Sequence, residues 1–440
     1  MEQQNSKGRN IAIVAMIFLF GMIAFVTNLA APIGVIWKNQ PGIGGSNTLG
    51  MLGNMMNFLA YLFMGIPSGK LLVKIGYKKT ALLAIAFGLV GVFFQYLSGQ
   101  VLTDSVLGGL PANFFVYLFG AFVSGICVCM LNTVVNPMLN LLGGGGNKGN
   151  QLCLAGGTLN SFMGTLTPMF VGALIGTVTK DTAITDVNSV LFLAMGIFAL
   201  TFIILYFVPI IEPQEHIEED PNDKYSPYSF RHFKLGILAI FVYVGTEVGI
   251  PGTLNFFLSD TTEAGAGLDI ATAATIGGFA AGTYWLLMLL GRFSAGFIAA
   301  KVSSRTMMMV TNGVGMALIL LAIFLPKTIT GSIPVFTGSA FEMTQLPLSA
   351  ILLILCGLCT SVMWSSIFNL ATEGLGKYTA AASGIFMVMV VGGGILPLVQ
   401  NFIADKTGYM VSYIVPLLAM AYMFVYAVWG SKNVNKDIPV

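Results

Sequence analysis

Twelve stretches of mainly apolar residues, each long enough to cross a lipid bilayer as a helix, follow one another along the chain. An α-helix needs roughly twenty residues to span a hydrocarbon core roughly 30 Å thick. Of the 440 residues, 56% are hydrophobic and only 9% are charged, whereas about a quarter of the residues in soluble domains are charged. Lipid is therefore the solvent for most of the surface. The stretches cover residues 11–36, 48–73, 80–98, 112–142, 151–178, 188–211, 233–258, 270–300, 306–326, 346–371, 378–403 and 409–430.

The most polar segment of the chain follows the sixth apolar stretch and covers residues 212–232. It divides the predicted helices into two sets of six. We therefore predict an all-α membrane protein with twelve transmembrane helices in two six-helix halves, residues 1–211 and 233–440, joined by a cytoplasmic linker at 212–232. The charged residues of this linker are Glu215, Glu218, Glu219, Asp220, Asp223, Lys224 and Arg231.

Lysine and arginine are distributed unevenly over the predicted loops. Cytoplasmic loops of membrane proteins are enriched in these residues, and sixteen lie at the termini or after even-numbered helices against four on the opposite side. We therefore expect both termini to be cytoplasmic, in a multi-pass protein of a bacterial inner membrane. The sixteen are Lys7, Arg9, Lys70, Lys74, Lys78, Lys79, Lys148, Lys224, Arg231, Lys234, Arg292, Lys301, Arg305, Lys377, Lys432 and Lys436, and the four are Lys38, Lys180, Lys327 and Lys406.

A weak repeat relates the segments that follow the second and the eighth predicted helices. In each segment a glycine precedes a lysine by five residues, and a further cation follows. Short basic connections of this kind allow cations to reach the carbonyl groups at helix C-termini, so we predict gating loops here. The alternative is that these cations only orient the chain in the membrane. The residues are Gly69, Lys74 and Lys78 in the first segment and Gly296, Lys301 and Arg305 in the second.

Polar side chains, mostly amides, recur within several of the predicted helices. Asn132, Asn136 and Asn140 are spaced four residues apart and form one stripe on the fourth helix. Sugar binding inside a membrane requires amides and hydroxyls that donate and accept hydrogen bonds without charge, together with aromatic faces. The alternative for any one amide is a hydrogen bond that holds two helices together. The predicted substrate-binding residues are Asn28, Asn132, Asn136, Asn160, Tyr243, Glu247, Asn255, Trp364 and Asn369.

Glu247 is the only carboxylate that falls well inside a predicted span. An ionisable group at that depth is costly unless it faces a cavity or finds a partner. We therefore predict that Glu247 carries the proton if transport is coupled to protons. Two alternatives stay open: a protonated Glu247 that only bonds to a neighbouring carbonyl, and a Glu247 that binds the sugar.

Other kinds of chemistry find no support in the sequence. A net charge of +2 gives no basic field for nucleic acid. No cluster of His, Cys, Asp and Glu has metal-site spacing, and no nucleophile stands beside a base, so we expect no metal, no cofactor and no enzymatic activity. Cys356 and Cys359 have the spacing of a redox motif but lack a charged neighbour that would activate a thiolate. We expect a monomer whose partners are a sugar, the lipid bilayer and a proton or sodium ion if transport is coupled.

Motifs in five of the predicted helices occur together, in the same order, in one known family. They lie at residues 132–137, 154–162, 243–248, 291–293 and 392–397. The loop at 69–79 adds a sixth motif, although Val73 stands where an acidic residue is usual. Together these motifs resemble the fucose, galactose and glucose proton-symporter family of the major facilitator superfamily.

The resemblance implies a major facilitator fold and sugar transport coupled to protons. Symporters of this family commonly have an acidic residue at the position of Asn28, and some have another at Asn132. Some glucose and galactose members carry Glu at the position of Glu247. Because an amide cannot take up and release a proton near neutral pH, the usual coupling site is missing here, and coupling to protons, to sodium or to neither stays open.

We predict a carrier that moves a neutral hexose or pentose, such as fucose, glucose or galactose, by alternating access between its two halves. Charged sugars are disfavoured, because no Arg or Lys lies deep in any predicted span except Arg292, which is near a cytoplasmic helix end. The alternatives are an uncoupled facilitator or exporter of another small polar solute, and a membrane sensor that has kept the fold but no longer transports.

Overall fold

The computed structural model describes residues 2–142, 146–175, 182–208, 225–298, 302–336, 340–435 and 437–438. Within these ranges the chain forms twelve long helices. Helix α10 has a break at 361–362, and α11 has one at 390–391. The helices are α1 (Glu2–Asn39), α2 (Asn47–Ile75), α3 (Tyr77–Leu97), α4 (Ala112–Leu142), α5 (Gly146–Ile175), α6 (Asn188–Phe207), α7 (Arg231–Ser259), α8 (Ala273–Ile298), α9 (Ser304–Phe324), α10 (Leu348–Thr360 and Met363–Thr372), α11 (Thr379–Met389 and Gly392–Thr407) and α12 (Tyr409–Ser412, Ile414–Val425 and the π-helical turn Tyr426–Gly430).

The predicted membrane architecture is confirmed. Eleven helices of the described part are long and apolar enough to cross a membrane. Helix α5 lies outside that set, and it packs against α1 and α8. Its lower apolar content suits this position between other helices, where amides and glycines make interhelical contacts.

The helices form two six-helix halves, α1–α6 and α7–α12. In the first half α4 packs against α1, α2 and α3, and in the second α10 packs against α8 and α9. The halves meet where α2 packs on α11 and α5 packs on α8. Glycine permits the close approach of the second pair, because a Cβ atom at Gly278 of α8 would collide with the carbonyl oxygen of Pro168 in α5.

The bundle has two ends, which we name by the chain termini. Helix α1 begins and α12 finishes at the terminus end, and the loops after odd-numbered helices lie at the opposite, far end. Two antiparallel hairpins lie at the far end: β1 (Val106–Leu107) with β2 (Leu110–Pro111), and β3 (Thr330–Phe336) with β4 (Phe341–Pro347). The sequence predicts a loop at the second hairpin, because residues 327–345 lie between two apolar stretches.

Helix α11 breaks at Val390 and Val391, just before three consecutive glycines. Further along, Pro397 has no N–H, so the carbonyl of Gly393 four residues earlier lacks its intrahelical partner. Asn54 of α2 supplies one, since its Nδ2 donates to the Gly393 carbonyl oxygen at 2.9 Å. A side chain of the first half therefore completes the backbone hydrogen bonding of a helix in the second half.

The basic segment after α2 binds the end of α6. Gly76, with φ 84°, turns the chain directly from α2 into α3. Lys78 then donates to the carbonyl oxygens of Tyr206 and Val208, at 2.9 and 2.7 Å. The predicted contact between this cation and helix C-terminal carbonyls is confirmed. Of the other predicted loop residues, Gly69 lies within α2 and Lys74 is exposed in its last turn.

The second half has a matching contact. Arg305, at the start of α9, donates from Nε to Ser431 Oγ just beyond α12, at 3.2 Å. Gly296 lies in α8, and Lys301 falls outside the described residues. The predicted linker at 212–232 is described only from Tyr225 onward, where the 3-10 turn Pro227–Ser229 leads into α7, so its boundaries stay a prediction.

Candidate functional site

Three helices contain a proline seven or eight residues before their far ends. Pro32 interrupts the hydrogen bonding of α1, Pro168 that of α5 and Pro251 that of α7. Each proline deprives the carbonyl four residues earlier of its helical N–H partner, and those carbonyls belong to Asn28, Gly164 and Glu247. In a membrane, interrupted helices of this kind are found where the backbone lines a cavity or is buried in protein.

A cavity lies between the halves at this level. Asn28, Thr27 and Asn54 contribute its polar wall, and Trp285 contributes an aromatic face. The space open to the centre of a water molecule is about 20 Å³, which holds water but not a sugar ring. In this conformation the halves have therefore closed around the cavity. It is lined by Thr27, Asn28, Ala31, Met51, Asn54, Pro168, Val248, Pro251, Gly252, Ala281 and Trp285.

The amides of α4 and α5 lie in the first half and are half-buried. Asn132 donates from Nδ2 to the Tyr61 hydroxyl of α2 at 2.7 Å, and Asn136 donates to the Asn132 carbonyl oxygen at 3.0 Å. Asn160 of α5 donates to the Phe20 carbonyl oxygen of α1 at 2.9 Å. Asn132 and Asn160 thus join helices, and Asn136 is tied to its own helix.

A buried ion pair joins α7 to α8. Arg292 donates from Nη2 to Glu247 Oε1 at 3.0 Å, and the Tyr243 hydroxyl donates to the same oxygen at 2.6 Å. The other guanidinium nitrogen, Nη1, donates to Ser161 Oγ of α5 at 2.8 Å. The Glu247 side chain is 12% exposed and that of Arg292 25%. One guanidinium therefore connects the carboxylate of the second half with a hydroxyl of the first.

None of the three interpretations of Glu247 made from the sequence includes an ion pair with Arg292. Arg292 lies six residues before the end of α8, at Ile298, and its long side chain reaches inward to the carboxylate. Two opposite charges 3.0 Å apart in a medium of low dielectric stabilise each other's ionised form. Glu247 and Arg292 together add no net charge to the site.

The remaining predicted residues separate into two groups. Trp364 of α10 contacts Tyr243, with ring centroids 6.3 Å apart, so it joins the Glu247 group, and Asn369 lies exposed further along α10. Asn255 is 1% exposed and lies against Gly277 of α8. Its Oδ1 accepts from Ser259 Oγ at 3.1 Å, and the cavity lining does not include it.

Among the described residues, no group of three or more His, Cys, Asp and Glu side chains is placed to hold a metal ion. The functional side chains that sequence reasoning missed are Arg292, Ser161 and Thr27. Arg292 stands in a family motif, which is a signal of importance, but its partners depend on how α8 packs against α5 and α7.

Comparisons with known proteins agree over nearly the whole chain. The model of the Major Facilitator Superfamily matches residues 13–396. A glucose/galactose transporter of Brucella abortus is 28% identical over 443 residues, which cover 98% of this chain and 97% of that protein. The L-fucose-proton symporter of Escherichia coli K12 is 23% identical over 402 residues, which cover 86% of this chain and 83% of the symporter.

A solved structure shares the fold. The crystal structure of FucP, a Major Facilitator Superfamily transporter in the outward conformation, matches with a TM-score of 0.64 at 19% sequence identity. The match covers 96% of this chain and 100% of that one. At this level of identity the similarity concerns the arrangement of the helices.

Proposed function

The chain belongs to the Major Facilitator Superfamily, and on that basis we propose that it transports a neutral monosaccharide by alternating access. The substrate is a hexose or pentose such as glucose, galactose or fucose. It binds between the halves, near Asn28 and Trp285, on the far-end side of the Glu247–Arg292 pair. We propose transport without any enzymatic step, by a monomer.

This proposal rests on the fact that the charges of Glu247 and Arg292 neutralise each other. Val248, which follows Glu247 in α7, lines the cavity, and the Glu247 carboxylate is already bound by Arg292 at 3.0 Å. A charged substrate would find no counter-ion free to bind it, and burying its charge without a partner is costly. A neutral polyol meets amides, a hydroxyl and an aromatic face, which suit its hydroxyls and its apolar ring face. The names of the relatives support the same substrate class.

Proton coupling through Glu247 is the second part of the proposal. Glu247 is held by Tyr243 and Arg292, so its protonation would weaken the bond to Arg292. Arg292 in turn binds Ser161 of the other half. Protonation of Glu247 would therefore also affect a contact between the halves. Uncoupled facilitation is the competing candidate. It is favoured by Asn28 and Asn132, which stand where symporters of the family have acidic residues.

Sugar selectivity tests the proposed function. Proteoliposomes containing the purified protein should take up labelled glucose, and unlabelled galactose or fucose should reduce that uptake. Glucuronate has the same ring with a carboxylate and should compete at least about tenfold less well, because an unpaired buried charge costs more than about 1.4 kcal/mol. Liposomes without protein are the control. If glucuronate competes as well as glucose, the neutral-substrate proposal is wrong, and if folded protein transports no sugar, the sugar-carrier proposal is wrong.

The orientation of the chain is also a proposal: we place both termini in the cytoplasm, in a bacterial inner membrane. Two exposed positions test it by cysteine substitution: Ser226, in the segment before α7, and Gln345, in hairpin β3–β4. We expect an impermeant thiol reagent added outside intact cells to label Gln345→Cys and to label Ser226→Cys only after permeabilisation. Labelling of both positions from one side would contradict the twelve-helix topology, and the reverse pattern would place the termini outside.

A further inference from the structure

Five residues form a polar group at the far end of the bundle, which we call the far-end cluster: Lys38, Asn47, Asp260, Asp405 and Tyr409. Lys38, Asn47 and Tyr409 are buried, Asp260 is half-buried and Asp405 is exposed. Lys38 Nζ lies 3.1 Å from Asp260 Oδ2 and also donates to the Tyr409 hydroxyl. That hydroxyl lies 2.8 Å from Asn47 Oδ1 and 2.9 Å from Asp260 Oδ2, within reach of either acceptor. The Lys38 side chain is only 7% exposed, although the sequence analysis counts it in a loop.

Asp405 of α11 caps helix α2 from the other half of the molecule. Its Oδ1 accepts from the Asn47 backbone N–H at 2.7 Å, and its Oδ2 accepts from the Thr48 backbone N–H at 2.8 Å. The hydroxyls of Ser46 and Thr48 donate to the same Oδ2 at 2.8 and 2.6 Å. A carboxylate at a helix N-terminus satisfies free N–H groups and interacts favourably with the helix dipole.

The far-end cluster divides its charges strictly between the halves. The first half supplies the ammonium of Lys38 and the N-terminus of α2, which are the positive partners. The second half supplies the carboxylates of Asp260 and Asp405, which are the acceptors. Lys327 fixes the loop after Asp260, since its Nζ donates to the carbonyl oxygens of residues 263, 264 and 265 at 2.7, 3.1 and 2.9 Å. Both carboxylates are therefore presented from positions fixed within the second half.

We propose that the far-end cluster is the gate that holds the two halves closed at the far end, with Asp405, bound to the N-terminus of α2, as its main contact. Separation of the halves at this end must break both carboxylate contacts together. It leaves Lys38 and the α2 N-terminus without partners on one side and two carboxylates on the other. The gate therefore sets how often the cavity opens to the far side. The proposal depends on the proposed alternating access, but not on which solute is carried.

The two carboxylates of the gate keep their charge over the physiological pH range. Burial raises the pKa of the Asp260 carboxyl, but Lys38, Thr262 and Tyr409 together lower it further, so it lies below its ordinary value. A carboxylate with a lowered pKa stabilises the closed state above its ordinary pKa of about 4, and this stabilisation is lost only as the pH falls through the lower value. Burial also raises the pKa of the Asp405 carboxyl, but hydrogen bonds from Thr48, Asn47 and Ser46 together lower it further. Proton gradients near neutral pH should therefore neutralise neither carboxylate.

Cysteine accessibility tests the gate without any sugar. Met51 of α2 lines the cavity and is 1% exposed, so Met51→Cys reports opening in a protein whose five native cysteines are replaced by alanine. The side from which Gln345→Cys is labelled defines the far side. We expect Asp405→Asn to raise the rate at which an impermeant maleimide, added on that side, labels Met51→Cys by about tenfold, which corresponds to about 1.4 kcal/mol. Ser46→Ala, which removes one donor, should raise it about threefold.

The matched control is Asp104→Asn. Asp104 lies exposed in the α3–α4 loop at the same end, so this variant makes the same charge change outside the gate and should leave the labelling rate unchanged. A cysteine at Ala371, which is buried near the terminus end of α10 and is probed from the terminus side, detects general loosening. The proposal is overturned if Asp405→Asn leaves labelling of Met51→Cys unchanged, or if it raises labelling of both probes equally. If Asp405→Asn does not fold, the Ser46→Ala result decides in the same way. A protein that opens as expected but transports no sugar would refute the proposed substrate and leave the gate intact.

Discussion

Glu247→Gln is expected to abolish the accumulation of sugar driven by a pH gradient while sugar exchange stays within about tenfold of the wild type, or about 1.4 kcal/mol. Glutamine keeps an oxygen that accepts from Tyr243 and Arg292, whose donors lie 2.6 and 3.0 Å from the present carboxylate, but it cannot titrate. The measurement is uptake into proteoliposomes with an imposed proton gradient, and in parallel with a sodium gradient, for the wild type and the variant.

The control for this variant is Glu342→Gln, since Glu342 is exposed in hairpin β3–β4 and far from the ion pair in the bundle. It should accumulate sugar as the wild type does. Undiminished proton-driven accumulation by Glu247→Gln would show that the coupling site lies elsewhere. A wild-type protein that equilibrates sugar without concentrating it under either gradient would be a facilitator, with Glu247 as a sugar ligand.

Asn136→Leu is expected to reduce uptake at least about tenfold while the protein remains folded in the membrane. Asn136 donates to the Asn132 carbonyl oxygen at 3.0 Å, and Asn132 in turn donates to Tyr61, so the two amides belong to one network. Asn136 is predicted to bind the sugar, and a buried sugar hydroxyl that loses this hydrogen bond weakens binding by about 1–3 kcal/mol, where each 1.4 kcal/mol is about tenfold. Initial uptake rates, divided by the amount of protein in the membrane, give the comparison.

The melting temperature in detergent separates a binding role from a packing role for Asn136. Asn160→Leu removes a bond between α5 and α1 and serves as the comparison, because a lost helix–helix bond lowers stability as well as uptake. Asn136→Leu should melt close to the wild type. Normal uptake by Asn136→Leu would assign this residue to packing alone.

The helices could be predicted from the sequence because each must satisfy the same physical requirement. Lipid offers no hydrogen-bond partners to backbone N–H and C=O groups, so a segment that crosses it forms a long apolar helix. Helix α4, for example, covers 112–142, which are its predicted limits. Hairpin β3–β4 lies outside the lipid-crossing helices, where this requirement is relaxed. Its strands lack a long apolar stretch, so the sequence predicts a loop there.

The site was only partly predictable, because its pairings join residues that are distant in sequence. Glu247 was identified by its cost in a membrane, which is a property of one position. Its partner Arg292 is separated from it by 45 residues, and Lys38 is separated from Asp260 by 222. Those pairings depend on which helices are neighbours and how they are rotated. Asn255 shows the opposite error, since its spacing predicted a cavity position and its rotation places it against α8.

The basic contacts at the terminus end determine what kind of motion the molecule can make. Lys78 ties the start of α3 to the end of α6, and Arg305 ties the start of α9 to the segment after α12. In each half, a hydrogen bond therefore joins the segment after the second helix to the end of the sixth helix. Neither hydrogen bond crosses to the other half. The outer helices must travel with their own bundle. Displacement between the two halves is thus concentrated where α2 contacts α11 and α5 contacts α8.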